Sequence, residues 1–527
     1  MAKATSESAQ VAVNGGGFPL RAAGIDVGSN AMRLLVGEFT GSATWTVLAQ
    51  QRMPVRLGAC VFGKGRGVIE GPTRDAAIDA LRLFRERMDA LNVKVYRATA
   101  TSAVREATNG ASFVRQAWDE AGIELETITG GEEARLIWLA TGNRIDVQGR
   151  QWVLVDLGGG SVEVALADGD EVLWAESHAM GSVRLLAEFG QAAHSPGRFR
   201  KLVGEYIHTL ASRISLETEP GTGVIATGGN IEELASLVGA DVDSRGVARL
   251  RLKDLARMID RLAQLSAEER IEELDLRPDR ADVILPAALV YERIAQMTGS
   301  DELIVPNVGL KEGLLVDAMH DALQHTEHAA RQQRDMMTGA IALGRRYLFD
   351  EAHGRHVAML AASLFDQLGS QHGLGERDRR ILTAAGVLHD IGQHISYRKH
   401  HKHSYYLILN ASLPDLGPRD TLIVALVARY HRRAEPSGSH DGYADLSSDE
   451  RGRVSWLAAL LRIADALDRQ HLQHVRRVDA RVEDEELHIC VHAEGDVLLE
   501  EWAIEKKARL FTRMLGLDLT LEISEAS

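Results

Sequence analysis

The chain has 527 residues and a formal net charge of −15, from 60 basic and 75 acidic side chains. This length exceeds what one hydrophobic core usually supports, so three or four domains are expected. The acidic balance argues against broad nucleic-acid binding, which relies on a basic surface. Two distant cysteines, Cys60 and Cys490, indicate no disulfide framework, and no apolar run reaches membrane-spanning length. A cytoplasmic protein with no membrane or nucleic-acid partner is predicted.

The chain begins with a leader, followed by a strand that ends on an acid. Residues 1–18 are rich in Ala, Ser and Gly, a composition typical of a disordered segment. The run from Gly24 to Asn30 reads G-I-D-V-G-S-N and continues into the apolar segment Leu34 to Val36. This order predicts a strand, an acid, a glycine-containing turn and a second strand.

Helices and strands alternate after this first unit. Thr73 to Leu91 has the periodicity of an amphipathic helix, and Val93 to Thr101 is predicted as a strand. Leu125 to Ile128 is another short strand, after which Thr129-Gly130-Gly131 introduces a helix that starts with acids. Acids in a first helical turn usually complement the helix dipole, so Glu133 by itself indicates only a helix start.

The stretch from Trp152 to Leu166, W-V-L-V-D-L-G-G-G-S-V-E-V-A-L, carries the strongest sign of chemistry. A strand ends on Asp156, and Gly158 to Gly160 are predicted to turn through conformations that a Cβ forbids, which forms a concave anion site. Alternation along the next strand places Ser161 and Glu163 beside that hollow. Two carboxylates next to a phosphate require a cation, and Mg²⁺ suits such oxygens. A plain buried hairpin is the alternative for this run alone.

The strand–acid–glycine–strand unit occurs twice. A shift of 130 positions overlays Gly24 to Asn30 on Leu154 to Gly160, and each copy leads into an apolar strand. An internal duplication of this kind predicts two related α/β lobes that face each other across a ligand cleft.

The second copy continues into a longer α/β segment. Val224 to Asn230 is a third strand-to-glycine turn, and a long helix is predicted from about Val283 to Met297. From about residue 328 the pattern is nearly all helical, and near the C-terminus strands and a helix alternate again. The predicted domains are a first lobe at 19–145, a second lobe at 146–327, a helical domain at 328–475 and a small α/β tail at 476–527.

Five motifs in fixed order carry a family resemblance: D-x-G-S-N from Asp26, G-x-E-E-A-R from Gly130, D-x-G-G-G-S-x-E from Asp156, T-G-G from Thr227 and G-x-K-E-G from Gly309. The chain resembles the exopolyphosphatase / guanosine pentaphosphate phosphohydrolase (Ppx/GppA) family, which belongs to the superfamily of actin, sugar and acetate kinases and chaperone ATPases. The resemblance implies two ribonuclease-H-like (actin-like ATPase) lobes, then an all-α HD-like domain and a small α/β C-terminal domain. It also implies a homodimer that hydrolyses a terminal phosphoanhydride.

The resemblance assigns roles by position. Glu133 corresponds to the glutamate that activates or orients the attacking water, and Asp156 and Glu163 correspond to the carboxylates that hold Mg²⁺ or Mn²⁺, with K⁺ as a further candidate cation. The implied phosphate-binding residues are Ser29, Asn30, Arg105, Gly158, Gly159, Gly160, Ser161, Thr227, Gly228 and Gly229. These residue types suit phosphoryl transfer, which needs positioning and charge neutralisation more than covalent help.

The helical part contains a second constellation. Its pattern His…His-Asp…Asp resembles the HD superfamily of metal-dependent phosphohydrolases, and the ligands of a divalent metal map to His353, His389, Asp390 and Asp465. His403 and His431 are expected to complete a second metal position. A vestigial helical domain, whose histidines only cap helices, is the alternative interpretation.

Basic residues are candidates to line a polyanion path. The segment Arg398 to His403, R-K-H-H-K-H, is predicted either as a solvated loop or as a guide for a long phosphate chain. Arg52, Arg56, Lys64 and Arg66 are further candidates.

Release of terminal orthophosphate from inorganic polyphosphate is the leading predicted function. Hydrolysis of guanosine pentaphosphate in the same site is the close alternative, because the motifs do not separate the two substrates. A superfamily ATPase or kinase is more remote, because the G-x-E-E-A-R segment has no evident role in kinases.

Overall fold

The computed structural model describes residues 18–41, 44–63, 67–169, 171–190, 196–211, 214, 218–219, 221–323, 326–411, 413, 416–432, 434–483 and 486–525, with backbone only at residues 171, 196, 326–335 and 525. Lys64, Arg66 and the predicted leader up to residue 17 lie outside these ranges. Internal contacts divide the chain into two units, Met1–Thr127, Leu136–Glu163 and His178–Ala330 in the first, and Ile128–Arg135, Val164–Ser177 and Arg331–Ser527 in the second. The finer domain boundaries stay predictions.

A mixed sheet organises the first part of the chain. The elements in chain order are β1 (Leu20–Val27), β2 (Met32–Phe39), β3 (Trp45–Met53), α1 (Leu57–Phe62), α2 (Gly71–Ala90), β4 (Val95–Ala100), α3 (Ser102–Glu106), α4 (Gly110–Ala121), β5 (Leu125–Thr127) and α5 (Gly130–Gly142). The strand order is β3-β2-β1-β4-β5, with β1 antiparallel to β2 and parallel to β4. Helix α2 buries Ala77, Leu81, Phe84 and Met88, the helical spacing that the sequence predicted.

A second sheet repeats this arrangement. Its elements are β6 (Gln151–Leu157), β7 (Val162–Asp168), β8 (Glu171–His178), α6 (Ser182–Phe189), α7 (Pro196–Ala211), β9 (Gly223–Thr227), α8 (Gly229–Leu237), β10 (Asp241–Val242), β11 (Ala248–Arg251), α9 (Leu252–Leu262), α10 (Ala267–Leu274), α11 (Pro278–Ala281), α12 (Ile284–Thr298), β12 (Glu302–Val305) and α13 (Leu310–Ala322). The order is β10-β11-β12-β9-β6-β7-β8. Its segment β8-β7-β6-β9-β12 follows the order of β3-β2-β1-β4-β5, so the predicted duplication is confirmed.

The remaining chain is helical and then mixed. The helices are α14 (Thr326–Arg346), α15 (Glu351–Gln367), α16 (Gly369–His372), α17 (Glu376–Leu388), α18 (His400–Leu409), α19 (Pro418–Tyr430) and α20 (Ser448–Ala466), with a 3-10 turn at Ile391–His394. The tail contains β13 (Val475–Glu483), β14 (Glu486–Ala493), α21 (Leu498–Lys507), α22 (Arg509–Leu515) and β15 (Asp518–Glu525), in the sheet order β13-β14-β15. The predicted succession of α/β lobes, helical domain and small α/β tail is therefore confirmed.

Helix α20 shows how local sequence sets these elements. Ser447 accepts a hydrogen bond from the Glu450 amide while the Glu450 carboxylate accepts one from the Ser447 amide, a capping box. Much of the rest of the helix consists of buried apolar residues, and Asp465 lies near its end. Within the described ranges, no helix is both long and apolar enough to cross a membrane.

Candidate functional site

Two buried carboxylates lie together where β6 ends and β7 begins. Asp156 and Glu163 each offer an oxygen within 4.8 Å of the other. Thr227 Oγ1 donates to Asp156 Oδ1 over 2.6 Å, and Ser161 Oγ donates to Glu163 Oε1 over 2.7 Å. Burial and then the charge of Glu163 raise the pKa of Asp156 to about 7. The hydroxyls therefore fix both carboxylates in a place where two negative charges oppose each other.

The duplicated hairpins differ in charge at one pair of equivalent positions, residues 33 and 163. Strands β1 and β2 place Asp26 opposite Arg33, whose Nη1 donates to Asp26 Oδ2 over 2.9 Å. The residues 130 positions later are Asp156 and Glu163. An acid–base pair in the first copy is therefore an acid–acid pair in the second. Two buried hard oxygens suit Mg²⁺ or Mn²⁺, so this donor set fits the predicted cation.

The glycine turn between β6 and β7 has a different origin from the one predicted. None of Gly158, Gly159 and Gly160 has a positive φ. The prediction that these glycines adopt backbone conformations forbidden to other residues is therefore wrong. Close packing requires two of the glycines instead, because a Cβ on Gly160 would lie 2.3 Å from Ser102 Oγ and one on Gly159 would lie 3.0 Å from Ser29 Cβ, whereas one on Gly158 would meet only Ser161 O at 3.5 Å. In the described chain, the amides of Gly159 and Gly160 donate to no other backbone group.

The first hairpin turn lies against this glycine turn. Ser29 Oγ is 3.0 Å from Ser102 Oγ, and a Cβ on Gly159 would lie 3.2 Å from the Asn30 nitrogen. Helix α3 begins at Ser102 and carries Arg105 in its last turn. The structure therefore brings Ser29, Asn30 and the glycine turn together, whereas a role for Arg105 stays a prediction.

The third glycine turn follows β9, directly after Thr227, which hydrogen-bonds Asp156. Gly228 has a φ of +105°, and a Cβ there would lie 2.8 Å from Leu157 O, so glycine is required at this position. Arg280 Nη1 donates to Gly229 O and lies 3.0 Å from a Glu233 carboxylate oxygen. Arg280 follows no motif, so sequence reasoning missed it. Arg33 was detectable, because the hairpin register places it opposite Asp26.

Glu133 lies in the first turn of α5. Its neighbour Glu132 is held by the Arg135 guanidinium through two hydrogen bonds of 2.7 and 2.9 Å. Thr129 Oγ1 accepts a hydrogen bond from the Glu132 amide and so starts the helix. Glu133 is buried. Its predicted catalytic role with Asp156 and Glu163 stays a prediction, because residues 128–135 belong to the second unit and both other acids to the first.

The four metal ligands predicted in the helical part come together. His353 Nε2 and His389 Nε2 are 3.2 Å apart, and each lies 3.8 Å from Asp465 Oδ1. Asp390 Oδ2 is 3.9 Å from His389 Nε2. All four residues belong to the second unit. Burial lowers the pKa of His389, which favours the neutral imidazole that a metal needs.

A second group shares Asp390 with the first. His400, His431 and Asp390 each offer a ligand atom within 4.8 Å of the others. The sequence analysis placed His403 at this position, but α18 turns His400, Ser404 and Ile408 inward, and His403 lies off that buried face. Hence His400, and not His403, accompanies His431.

The candidate polyanion-lining arginines of the first lobe form ion pairs. Arg52 pairs with Asp279, and Arg56 Nη1 lies 2.9 Å from Asp282 Oδ2. In the basic segment, Arg398, Lys399 and Lys402 are exposed. A path for a phosphate chain along these residues stays a prediction.

Comparison with known proteins gives consistent matches over most of the chain. Guanosine-5'-triphosphate,3'-diphosphate pyrophosphatase of Aliivibrio fischeri is 28% identical over 445 residues, 83% of this chain and 86% of that protein. The protein of the same name from Vibrio campbellii is 28% identical over 489 residues, 92% of each chain.

Solved structures match about 58% of the chain. A Ppx/GppA family member from Aquifex aeolicus is 25% identical, with a TM-score of 0.50 over 58% of this chain and 99% of its own. An exopolyphosphatase from Cytophaga hutchinsonii is 26% identical, with a TM-score of 0.51 over 58% of this chain and 98% of its own.

Two family models account for most of the sequence. Residues 336–507 match domain III of the Ppx/GppA phosphatases. Residues 37–322, more than half of the chain, match the Ppx/GppA phosphatase family itself. The resemblance drawn from the five motifs is thus confirmed, and the chain belongs to the Ppx/GppA phosphatase family of hydrolases.

Proposed function

We propose that the chain releases terminal orthophosphate from inorganic polyphosphate by attack of water on the end phosphorus. The observation that carries the proposal is the acid–acid pair of Asp156 and Glu163 where the duplicated hairpin has Asp26 and Arg33. Burial of two like charges side by side costs folding free energy unless a bound cation neutralises them. A glycine turn with two amides that donate to no backbone group of the described chain lies beside it.

The chain's own residues bind and orient the phosphate end. The amides of Gly159 and Gly160, with Ser29 and Asn30 against them, are proposed to receive the terminal phosphate. Thr227 and Ser161 hold the two carboxylates in place through their hydroxyls. Asp156 and Glu163 would hold Mg²⁺ or Mn²⁺, which would neutralise negative charge on the phosphate oxygens.

Glu133 is proposed to orient the attacking water and to take its proton. The residue is buried, and a carboxylate within reach of the attacking water can take its proton as a general base. The neighbouring Glu132 has a different task, because its carboxylate is held by Arg135. The bond between the end phosphorus and its bridging oxygen breaks, and the shortened chain leaves with that oxygen.

Guanosine pentaphosphate is the second candidate substrate. The relative from Vibrio campbellii, which matches 92% of each chain, carries that nucleotide in its name. The exopolyphosphatase from Cytophaga hutchinsonii, which is matched over 98% of its own chain, supports the polymer, because its name gives that activity.

Phosphate release from long-chain polyphosphate, guanosine pentaphosphate and ATP, each with Mg²⁺, separates these substrates. The proposal expects kcat/KM to be highest for polyphosphate, and a higher value for the nucleotide would replace it with the second candidate. A higher value for ATP would replace both with an ATPase. Gel filtration with light scattering tests the expected homodimer, and replacement of K⁺ by Na⁺ tests the role of K⁺.

Glu133→Gln tests the water-orienting role. Turnover should fall about 10²- to 10⁴-fold, the usual contribution of a general base, while polyphosphate still binds. Glu188→Gln removes an exposed carboxylate from α6 and is the matched control. Near-normal turnover of Glu133→Gln would reject this role.

A further inference from the structure

Tyr291 lies at the ends of the two strands that carry the acid Asp156 and the threonine that hydrogen-bonds it. The residue is on α12, its side chain is buried, and its hydroxyl donates to Thr227 O over 2.5 Å. Burial raises the pKa of this phenol well above its ordinary value of 10.0, so the hydroxyl keeps its proton and remains a donor. The backbone of Leu157 is a further hydrogen-bond partner of the same hydroxyl. Tyr291 therefore joins the ends of β6 and β9.

This hydroxyl lies where the ladder between the two strands stops. The parallel pairing of β6 and β9 ends at Asp156 and Thr227. The equivalent pairing of β1 and β4 in the first lobe runs past Asp26 and Thr99 to one further residue pair. In the second lobe, Tyr291 thus joins the strands directly after their last pair, at the level where the first lobe continues its ladder.

The two lobes also differ in what the threonine opposite each acid does. Thr227 Oγ1 donates to Asp156 Oδ1 over 2.6 Å. The buried Thr99 Oγ1, opposite Asp26, has no hydrogen-bond partner among the described residues, and Asp26 is held by Arg33 instead. A threonine opposite the acid is therefore not enough to hold the carboxylate. The second lobe has an additional tie at this threonine, to its carbonyl oxygen.

The two hydrogen bonds of Thr227 act in series. Its carbonyl oxygen is fixed by Tyr291, and its hydroxyl fixes one oxygen of Asp156. Loss of the phenol hydroxyl would leave Thr227 O without this donor and would free the end of β9 to shift. Groups that hold a metal ligand from behind in this way typically contribute about 10- to 100-fold to metal affinity or activity.

We propose that Tyr291 is a positioning residue of the cation site, which fixes, through Thr227, the orientation in which Asp156 binds the divalent cation. In this role Tyr291 contacts neither the cation nor the phosphate. The inference rests on the proposed cation site of Asp156 and Glu163, but it is independent of which phosphate compound is the substrate.

Cation affinity is measured by titrating the full chain with Mn²⁺ and following the electron paramagnetic resonance signal of the free ion. The site is defined as the Mn²⁺ binding that Asp156→Asn/Glu163→Gln removes, which separates it from binding elsewhere in the chain. Tyr291→Phe keeps the ring and removes only the hydroxyl, and it should raise the Kd of this site about 10- to 100-fold. Tyr96→Phe is the matched control, because it removes a hydroxyl that accepts a hydrogen bond of 3.0 Å from the Glu124 amide, and its Kd should equal that of the wild type.

A double-mutant cycle tests whether the effect passes through Thr227. Thr227→Val removes the hydroxyl that holds Asp156 and should weaken Mn²⁺ binding at least as much as Tyr291→Phe does. If Tyr291 acts through this hydroxyl, the variant with both changes should bind Mn²⁺ no more weakly than Thr227→Val alone. A general structural role would instead add the two losses, and additive losses would overturn the proposal.

Activity separates a loss of cation affinity from a general loss of structure. Phosphate release is measured against Mn²⁺ concentration, with whichever of polyphosphate and guanosine pentaphosphate the wild type hydrolyses. In Tyr291→Phe, the half-saturating Mn²⁺ concentration should rise by the same factor as the Kd, while the rate at saturating Mn²⁺ should approach that of the wild type. A rate that stays low at every Mn²⁺ concentration would contradict the positioning role.

The outcomes also separate this inference from the proposed function. If Asp156→Asn/Glu163→Gln removes no Mn²⁺ binding, the proposed cation site is wrong and the role of Tyr291 is wrong with it. If that variant removes one ion, while Tyr291→Phe binds Mn²⁺ as tightly as the wild type, only the role of Tyr291 is wrong.

Discussion

Gly181 provides a direct test of how closely the glycine turn is packed. A Cβ on this residue, the N-cap of α6, would lie 2.2 Å from the carbonyl carbon of Gly160 and 2.4 Å from the nitrogen of Ser161. Non-bonded carbon atoms prefer at least about 3.5 Å, so Gly181→Ala requires a backbone movement of roughly 1 Å. No side-chain rotation relieves the contact, because the opposing atoms are backbone.

The expected effect has a structural part and a catalytic part. Overpacking of this kind costs about 1–3 kcal/mol of stability, and a displacement of roughly 1 Å at a reacting centre lowers kcat/KM about 100-fold. Both are measured on purified Gly181→Ala, by urea unfolding followed through tryptophan fluorescence and by phosphate release from polyphosphate with Mg²⁺.

Gly190→Ala is the matched control at the other end of α6. Nothing lies within 4 Å of a Cβ there, and the φ of −58° is compatible with alanine. This variant should keep its activity and gain about 0.4–1 kcal/mol of stability. If Gly181→Ala retained normal stability and activity, the close approach of α6 to the glycine turn would be refuted.

Two further predictions concern charge. Arg33→Met should lower stability by about 3 kcal/mol, because Asp26 is left charged and buried, and Asp26→Asn in the same chain should recover most of the loss, as measured by urea unfolding at pH 7. Arg419 hydrogen-bonds Glu450 and lowers its pKa from 4.5 to about 2, so this carboxylate stabilises α20 fully above pH 4.5 and loses that effect as the pH falls through 2. Glu450→Gln should therefore lower the free energy of unfolding by about 1 kcal/mol at pH 7. The difference in thermal unfolding midpoint between this variant and the wild type should shrink as the pH is lowered toward 2. A difference that stays constant with pH would contradict the assigned pKa.

The arrangement of the lobes was predictable because their strands carry strong local signals. The strand–acid–glycine unit recurs at a fixed spacing, so both the duplication and the location of Asp156 and Glu163 could be inferred before any coordinates. The reason for the glycines could not, because close packing of Gly160 against Ser102 depends on residues far apart in sequence. For the same reason Arg280, which no motif marks, was found only in the structure.

The histidine centre of the helical domain was predictable only in part. His353, His389, Asp390 and Asp465 lie together in the structure, whereas their role as metal ligands stays a prediction. His403 was chosen over His400, although Ile408 and Ser404 fix the buried face of α18 at intervals of four residues. Lys507 of the C-terminal tail donates a hydrogen bond to Asp465, a contact between distant parts of the sequence that only the tertiary structure reveals.

The central claim is that Asp156 and Glu163 hold the cation on which hydrolysis of the terminal anhydride depends. Phosphate release from polyphosphate at saturating Mg²⁺ should fall at least about 10³-fold in Asp156→Asn/Glu163→Gln, while Glu188→Gln remains at the wild-type rate. A double variant that hydrolyses polyphosphate at a rate close to wild type would contradict the account.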